Sequence, residues 1–99
     1  MAGKKSNSWA HGQRETHLIA RYDMTEEAYQ ALLESQDFKC KICGTDEPGK
    51  GRSNFCVDHD HKTGRIRGLL CFFCNQALGL MKDNPTILLR AIQYLKGNL

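Results

Sequence analysis

Two groups of residues in this chain have the types and spacing to do chemistry. The first is the run Asp58-His59-Asp60-His61. Carboxylates are hard oxygen ligands for ions such as Mg²⁺, and imidazole is the side chain that exchanges a proton near neutral pH. Asn75 lies seventeen residues beyond Asp58 and directly follows Cys74. The second group is a pair of CxxC motifs, Cys40-Lys-Ile-Cys43 and Cys71-Phe-Phe-Cys74, with 27 residues between them. Two such pairs at this distance read as a four-thiolate structural zinc site, each pair supplying one edge of the tetrahedron. A redox CxxC would need only one pair within a βαβ pattern, which this chain lacks. Cys56 is the fifth cysteine, and its neighbours Phe55 and Val57 make it a small buried apolar residue rather than a reactive thiol.

These groups must be positioned by a very small protein. With 99 residues the chain is one domain, or one domain with a tail, too short for a doubly wound nucleotide fold or a large substrate domain. Such a core is marginal alone, and bound zinc substitutes for what is missing. Residues 1–18 are polar and read as a leader, with Trp9 the one residue there able to anchor it, and residues 19–99 read as the folded domain. Lys4 and Lys5 are not followed by an apolar stretch, so the N-terminus is no secretory signal, and no apolar run approaches the length of a membrane span. The expected location is a cytoplasm.

Thr25 is a predicted N-cap, followed by Glu26 and Glu27 at the positive end of a helix dipole and by an apolar stripe of Tyr29, Leu32 and Leu33. That helix should end near Gln36. Residues 54–59 and 65–70 read as two strands joined by a turn at Lys62-Thr63-Gly64, forming a hairpin. A helix should start around Phe73 to Asn75 and run to about Lys82. Asn84-Pro85 then caps and opens a last helix to about Leu95, whose Leu88, Ala91, Ile92 and Leu95 share one face and are expected to pack on the core. The fold class is therefore α+β, with Asn75 at the start of a helix that the zinc knuckle fixes against the hairpin. Asn75 has two readings, a helix cap or a ligand facing Asp58. Asp60 reads as structural or solvent-facing. In a regular strand Asp58 and His59 point to opposite faces, so they serve one centre only if the strand bends, bulges or ends there.

The formal net charge is +3, and four thiolates with one zinc ion reduce it to +1. Charge alone is thus a weak argument for nucleic acid. Local clustering says more: Lys62, Arg65 and Arg67 crowd the hairpin, and Lys39, Lys41, Lys50 and Arg52 flank the first cysteine pair. Each cluster is either a phosphate-binding surface or a solvated face.

The strand–turn–strand–helix order with Asp-His on the first strand and Asn on the helix resembles the ββα-metal (HNH) nucleases. The combination Cys40-Lys-Ile-Cys43-Gly44, Val57-Asp58-His59-Asp60-His61, Thr63-Gly64, Arg67-Gly68-Leu69-Leu70-Cys71, Cys74-Asn75 and Gly79 is closest to the phage recombination endonuclease VII family. Tyr22, Thr25, Tyr29, Leu32, Leu33 and Gln36 are similar to that family's entry helix. The resemblance implies a small zinc-stabilised ββα-metal fold with flanking helices, and a DNA endonuclease leaving 5′-phosphate and 3′-hydroxyl ends. It implies one catalytic Mg²⁺ or Mn²⁺ on Asp58 and Asn75, His59 as general base, His61 as an auxiliary group, and a structural zinc on Cys40, Cys43, Cys71 and Cys74. Lys62, Arg65 and Arg67 would contact DNA. The setting would be the cytoplasm of a bacterial host, with a phage origin in view, and the protein a monomer or homodimer. Where some members carry an acid three residues after the Asn, this chain has Leu78. The competing reading is a zinc-stabilised nucleic-acid-binding module without catalysis, which leaves Asp58, His59 and Asn75 unexplained as a set.

Overall fold

The computed structural model describes residues 24–99. The leader expected over 1–18, with Trp9, and Tyr22 of the entry helix lie outside the described residues. Helix α1 spans Glu26–Ser35, strands β1 and β2 span Cys56–His59 and Ile66–Leu70, and helices α2 and α3 span Phe72–Leu80 and Pro85–Leu95. The α+β class holds: an antiparallel two-stranded hairpin carries α1 and α2 against it.

Local chemistry sets the element ends. Thr25 Oγ1 accepts the Ala28 N–H at 3.0 Å and starts α1. Tyr29, 1 % exposed, donates its hydroxyl to the Phe55 carbonyl at 2.8 Å. β1 begins at Cys56 rather than at residue 54, because Cys56 pairs with Leu70, the last residue of β2. Gly64 takes φ +79° in the hairpin turn, as its position requires. Cys71 is the N-cap of α2, so this helix starts one residue earlier than expected and Asn75 lies inside it. The helix ends at Leu80, ahead of Lys82 and Asp83, which turn left-handed at φ 60° and 54°. Asn84 Oδ1 accepts from the Thr86 and Ile87 N–H groups and opens α3.

The core gathers Met24, Tyr29, Phe55, Val57, Leu69 and Leu70 around the buried sulfurs of Cys40 and Cys71. The expected core face of α3 is not realised among the described residues: Ile92 and Leu95 are exposed, and Leu88 and Ala91 only half-buried. Periodicity marks a helix as two-faced but does not say what covers the apolar face. Among the described residues no helix is long and apolar enough to cross a membrane.

Gln36, just past α1, does the work of an extra strand. Its Nε2 donates to the Leu69 carbonyl at 2.9 Å, and its Oε1 accepts the Leu69 N–H at 2.9 Å. Gly68 permits this approach, because a Cβ there would lie 3.2 Å from Gln36 Oε1 and 2.8 Å from Lys41 Cδ. Leu69 is fully buried; its carbonyl keeps a second donor in the Lys41 N–H at 3.1 Å, but losing the side-chain amide takes the partner from its N–H. Gln36→Leu is expected to lower stability by about 1–3 kcal/mol, read as a lower denaturant midpoint. An unchanged midpoint would refute this role.

Candidate metal centre and active site

The four sulfurs of Cys40, Cys43, Cys71 and Cys74 all lie within 4.8 Å of one another. Cys43 Sγ and Cys71 Sγ are 3.8 Å apart, close to the about 3.8 Å edge of a tetrahedron with ~2.3 Å metal–sulfur bonds. Local structure builds each half. In the first knuckle the Gly44 N–H donates to the Cys40 carbonyl and the Cys40 N–H to the Thr45 carbonyl, with Gly44 at φ +78°. In the second, Cys71 Sγ accepts the Cys74 N–H at 3.4 Å at the first turn of α2, while the Phe72 N–H reaches back to the Pro48 carbonyl.

The thiols are strongly perturbed. Burial works against the Cys40 thiolate, but hydrogen bonding with the backbone at Cys71, Cys43 and Ile42 outweighs it and brings the thiol down to about 6. Cys74 is pushed far up, first by burial and then by the neighbouring sulfurs. Four sulfurs this close cannot all ionise without a cation among them, and tetrahedral thiolate coordination is the chemistry of zinc. The group therefore fits a structural zinc ion. Cys56 stands outside it, half-buried, with its thiol raised chiefly by burial.

Asp58 is the one buried charged side chain among the described residues, at 8 % exposure. The β1–β2 register slips beside it: Asp58 pairs with Gly68, whereas His59 pairs with Ile66. Arg67 is thus the extra residue, so the irregularity beside Asp58 lies on the opposite strand, and β1 itself ends at His59. Arg67 turns onto Asp58, with Nε to Oδ2 at 2.7 Å and Nη2 to Oδ1 at 3.0 Å. This two-point pairing is the chief cause of the raised pKa of Arg67. Nη2 also lies 3.3 Å from Asp83 Oδ2, and His61 Nε2 lies 3.4 Å from the same oxygen. The rings of His61 and His59 have centroids 4.8 Å apart. One continuous chain, Asp58–Arg67–Asp83–His61–His59, therefore runs across the mouth of the hairpin.

Asn75 is half-buried in the first turn of α2, its N–H on the Cys71 carbonyl at 3.0 Å. The cap role belongs to Cys71. Helix α2 packs on both strands, which places Asn75 on the element next to Asp58. Among the described residues the four cysteines are the only convergent group of three or more His, Cys, Asp or Glu side chains. Asp60 builds the turn: its Oδ1 accepts the Lys62 and Thr63 N–H groups at 2.7 and 3.1 Å, and these bonds hold its carboxyl below the usual range. Lys62 and Arg65 are exposed on that turn, and Arg65 lines a shallow groove with Asp60, Thr63, Ile66 and Arg67. Arg67 is committed to carboxylates here. Sequence reasoning missed Asp83, and the only local signal was an acid just before the Asn84-Pro85 helix start.

A family model described as recombination endonuclease VII matches residues 15–97. The Gene 59 protein of Mycobacterium phage D29 is 46 % identical over 96 residues, covering 96 % of this chain and 54 % of that protein. The Gene 59 protein of Mycobacterium phage L5 is 42 % identical over 93 residues, covering 93 % of this chain and 52 % of that protein. The chain spans about half the length of the curated relatives it matches. No solved structure matches it. The matched span contains the cysteine cluster, the hairpin with Asp58 and His59, and the helix with Asn75, and the chain belongs to the recombination endonuclease VII family.

Proposed function

We propose that this chain is a metal-dependent DNA endonuclease of the ββα-metal (HNH) type, with residues 19–99 as its catalytic unit and residues 1–18 as a polar leader. It would act on DNA in a bacterial cytoplasm, as a monomer or a homodimer. The observation that carries the reading is the buried Asp58, linked through Arg67 and Asp83 to His61 and its ring neighbour His59 in a chain of this family. A buried carboxylate is retained where its charge is used or paired.

A phosphodiester resists nucleophilic attack because it is anionic. Asp58 and Asn75 offer one anionic and one neutral oxygen donor, a set suited to Mg²⁺ or Mn²⁺. Each oxygen of Asp58 keeps lone-pair capacity beyond its bond from Arg67, so the donor set fits such an ion. When bound, the ion supplies Lewis-acid neutralisation of the phosphate and of the departing 3′-oxygen. His59 takes the proton of the attacking water, whose oxygen bonds to phosphorus. The bond from phosphorus to the 3′-oxygen breaks, and that oxygen leaves and takes a proton from solvent water to become a 3′-hydroxyl, with the phosphate staying on the 5′ end. His61 orients the phosphate, and Lys62 and Arg65 hold the flanking backbone.

The test is nicking of supercoiled plasmid by zinc-loaded protein with Mg²⁺ or Mn²⁺. Wild type is expected to nick, EDTA to stop it, and Asp58→Asn to slow it by on the order of a hundredfold or more, the scale of one electrostatic group lost from a transition state. No metal-dependent nicking, or equal nicking by Asp58→Asn, would leave the zinc-stabilised DNA-binding module as the better reading.

A further inference from the structure

We propose that Arg67 is the resident counter-cation of Asp58, and that Asp83 is the anchor onto which Arg67 shifts when a divalent ion takes the Asp58 carboxylate. The proposal rests on the reading of Asp58 as a metal ligand and adds two positioning residues to it.

A carboxylate as buried as Asp58 needs a partner, and Arg67 supplies one on both oxygens. The register slip leaves Arg67 within β2 but without a cross-strand partner, and its guanidinium is fixed by two carboxylates. A dication arriving at Asp58 meets this fixed positive charge, and the two cations repel over one carboxylate. Asp83 resolves the conflict. It already stands 3.3 Å from the same Nη2 that bonds Asp58 at 3.0 Å, so the guanidinium is shared between two carboxylates and needs only a small rotation to change allegiance. After the shift each cation has a carboxylate of its own.

Asp83 is held in place for this. Lys82 and Asp83 adopt successive left-handed conformations, at φ 60° and 54°, and the Asp83 N–H is tied to the Leu78 carbonyl at 2.8 Å. Left-handed backbone is uncommon outside glycine, and two such residues in a row are maintained here against that preference. The turn puts the Asp83 carboxylate within reach of both Arg67 and His61.

The experiment is Mn²⁺ binding to the zinc-loaded chain, measured by electron paramagnetic resonance of free Mn²⁺, for wild type, Arg67→Met, Asp83→Asn and the double variant. Arg67→Met is expected to tighten Mn²⁺ binding, and Asp83→Asn to weaken it, each by about tenfold, within the usual range of site-to-site coupling. In the Arg67→Met background Asp83→Asn should lose most of its effect, because no guanidinium remains to be received. Weaker or unchanged binding by Arg67→Met would overturn the proposal, as would an equal effect of Asp83→Asn in both backgrounds. Arg67→Lys, which keeps the charge but loses the two-point pairing, is expected to tighten binding less than Arg67→Met and substitutes for it if that variant does not fold. Asp58→Asn separates the two levels: Mn²⁺ binding unaffected by it overturns the metal reading along with the proposal. Binding abolished by it, with the Arg67 and Asp83 variants behaving otherwise than stated, overturns the proposal alone.

Discussion

Stripping zinc from the protein is expected to abolish its cooperative thermal transition and most of its helical signal. The core explains why. Among the described residues only Tyr29 and Leu69 are large side chains buried almost completely, and two of the eight buried apolar ones, Cys40 and Cys71, are themselves members of the sulfur cluster. Net stabilities of whole domains are about 5–15 kcal/mol, while a four-thiolate zinc site contributes an apparent ~10–16 kcal/mol. The metal is thus comparable to everything else combined. Its loss also leaves four crowded sulfurs, one with its pKa lowered to about 6 and another pushed up, with no cation to reconcile them. Cys71→Ser should unfold the chain, since Cys71 is at once a cluster member and a core residue; a serine hydroxyl still caps α2, so what is lost is the metal ligand. Cys56→Ser, outside the cluster, should change stability by about 1–2 kcal/mol at most. Circular dichroism with metal analysis reads both. A chelated protein that keeps its transition temperature would sink the zinc-clamped architecture.

The sulfur cluster and the element order were legible because their signals are local. A CxxC turn constrains its own two sulfurs, Thr25 and Asn84 cap the helices that follow them, and Gly64 supplies the positive φ of its turn. The Asp60 turn was legible for the same reason: its carboxylate answers N–H groups two and three residues on. Asp58 and His59 could be singled out by type, yet strand alternation set them on opposite faces. The slip that frees Arg67 arises from cross-strand pairing, which no run of residues along one strand encodes. Arg65 and Arg67 look equivalent in sequence, and the slip makes them different: one closes an exposed turn, the other neutralises a buried acid. Asp83 and Gln36 were hidden for a related reason, since their partners lie 16 and 33 residues away. The apolar face of α3 shows the opposite failure, a strong local pattern with no core partner among the described residues.

His59→Ala is expected to reduce plasmid nicking by about 10²–10⁴-fold, the usual contribution of a general base, with little change in the DNA concentration needed for half-maximal rate. The separation follows from the role. A base acts on water in the transition state and makes no contact that the bound ground state shares, so its removal lowers kcat and leaves binding alone. Arg65→Ala should do the reverse, weakening DNA binding and flattening its salt dependence because it removes a phosphate contact. His61→Ala tests how the histidine pair divides the work. Its ring stands 4.8 Å from that of His59 and its Nε2 is 3.4 Å from Asp83; in the proposed auxiliary role its loss should cost about tenfold to a hundredfold, the scale of a lost orienting partner. Added imidazole should restore part of the His59→Ala rate, since the vacated space admits the missing base, and should leave Asp58→Asn unrescued. Were His59→Ala to nick within threefold of wild type while His61→Ala failed, the base would be His61 and the two roles would have to be exchanged.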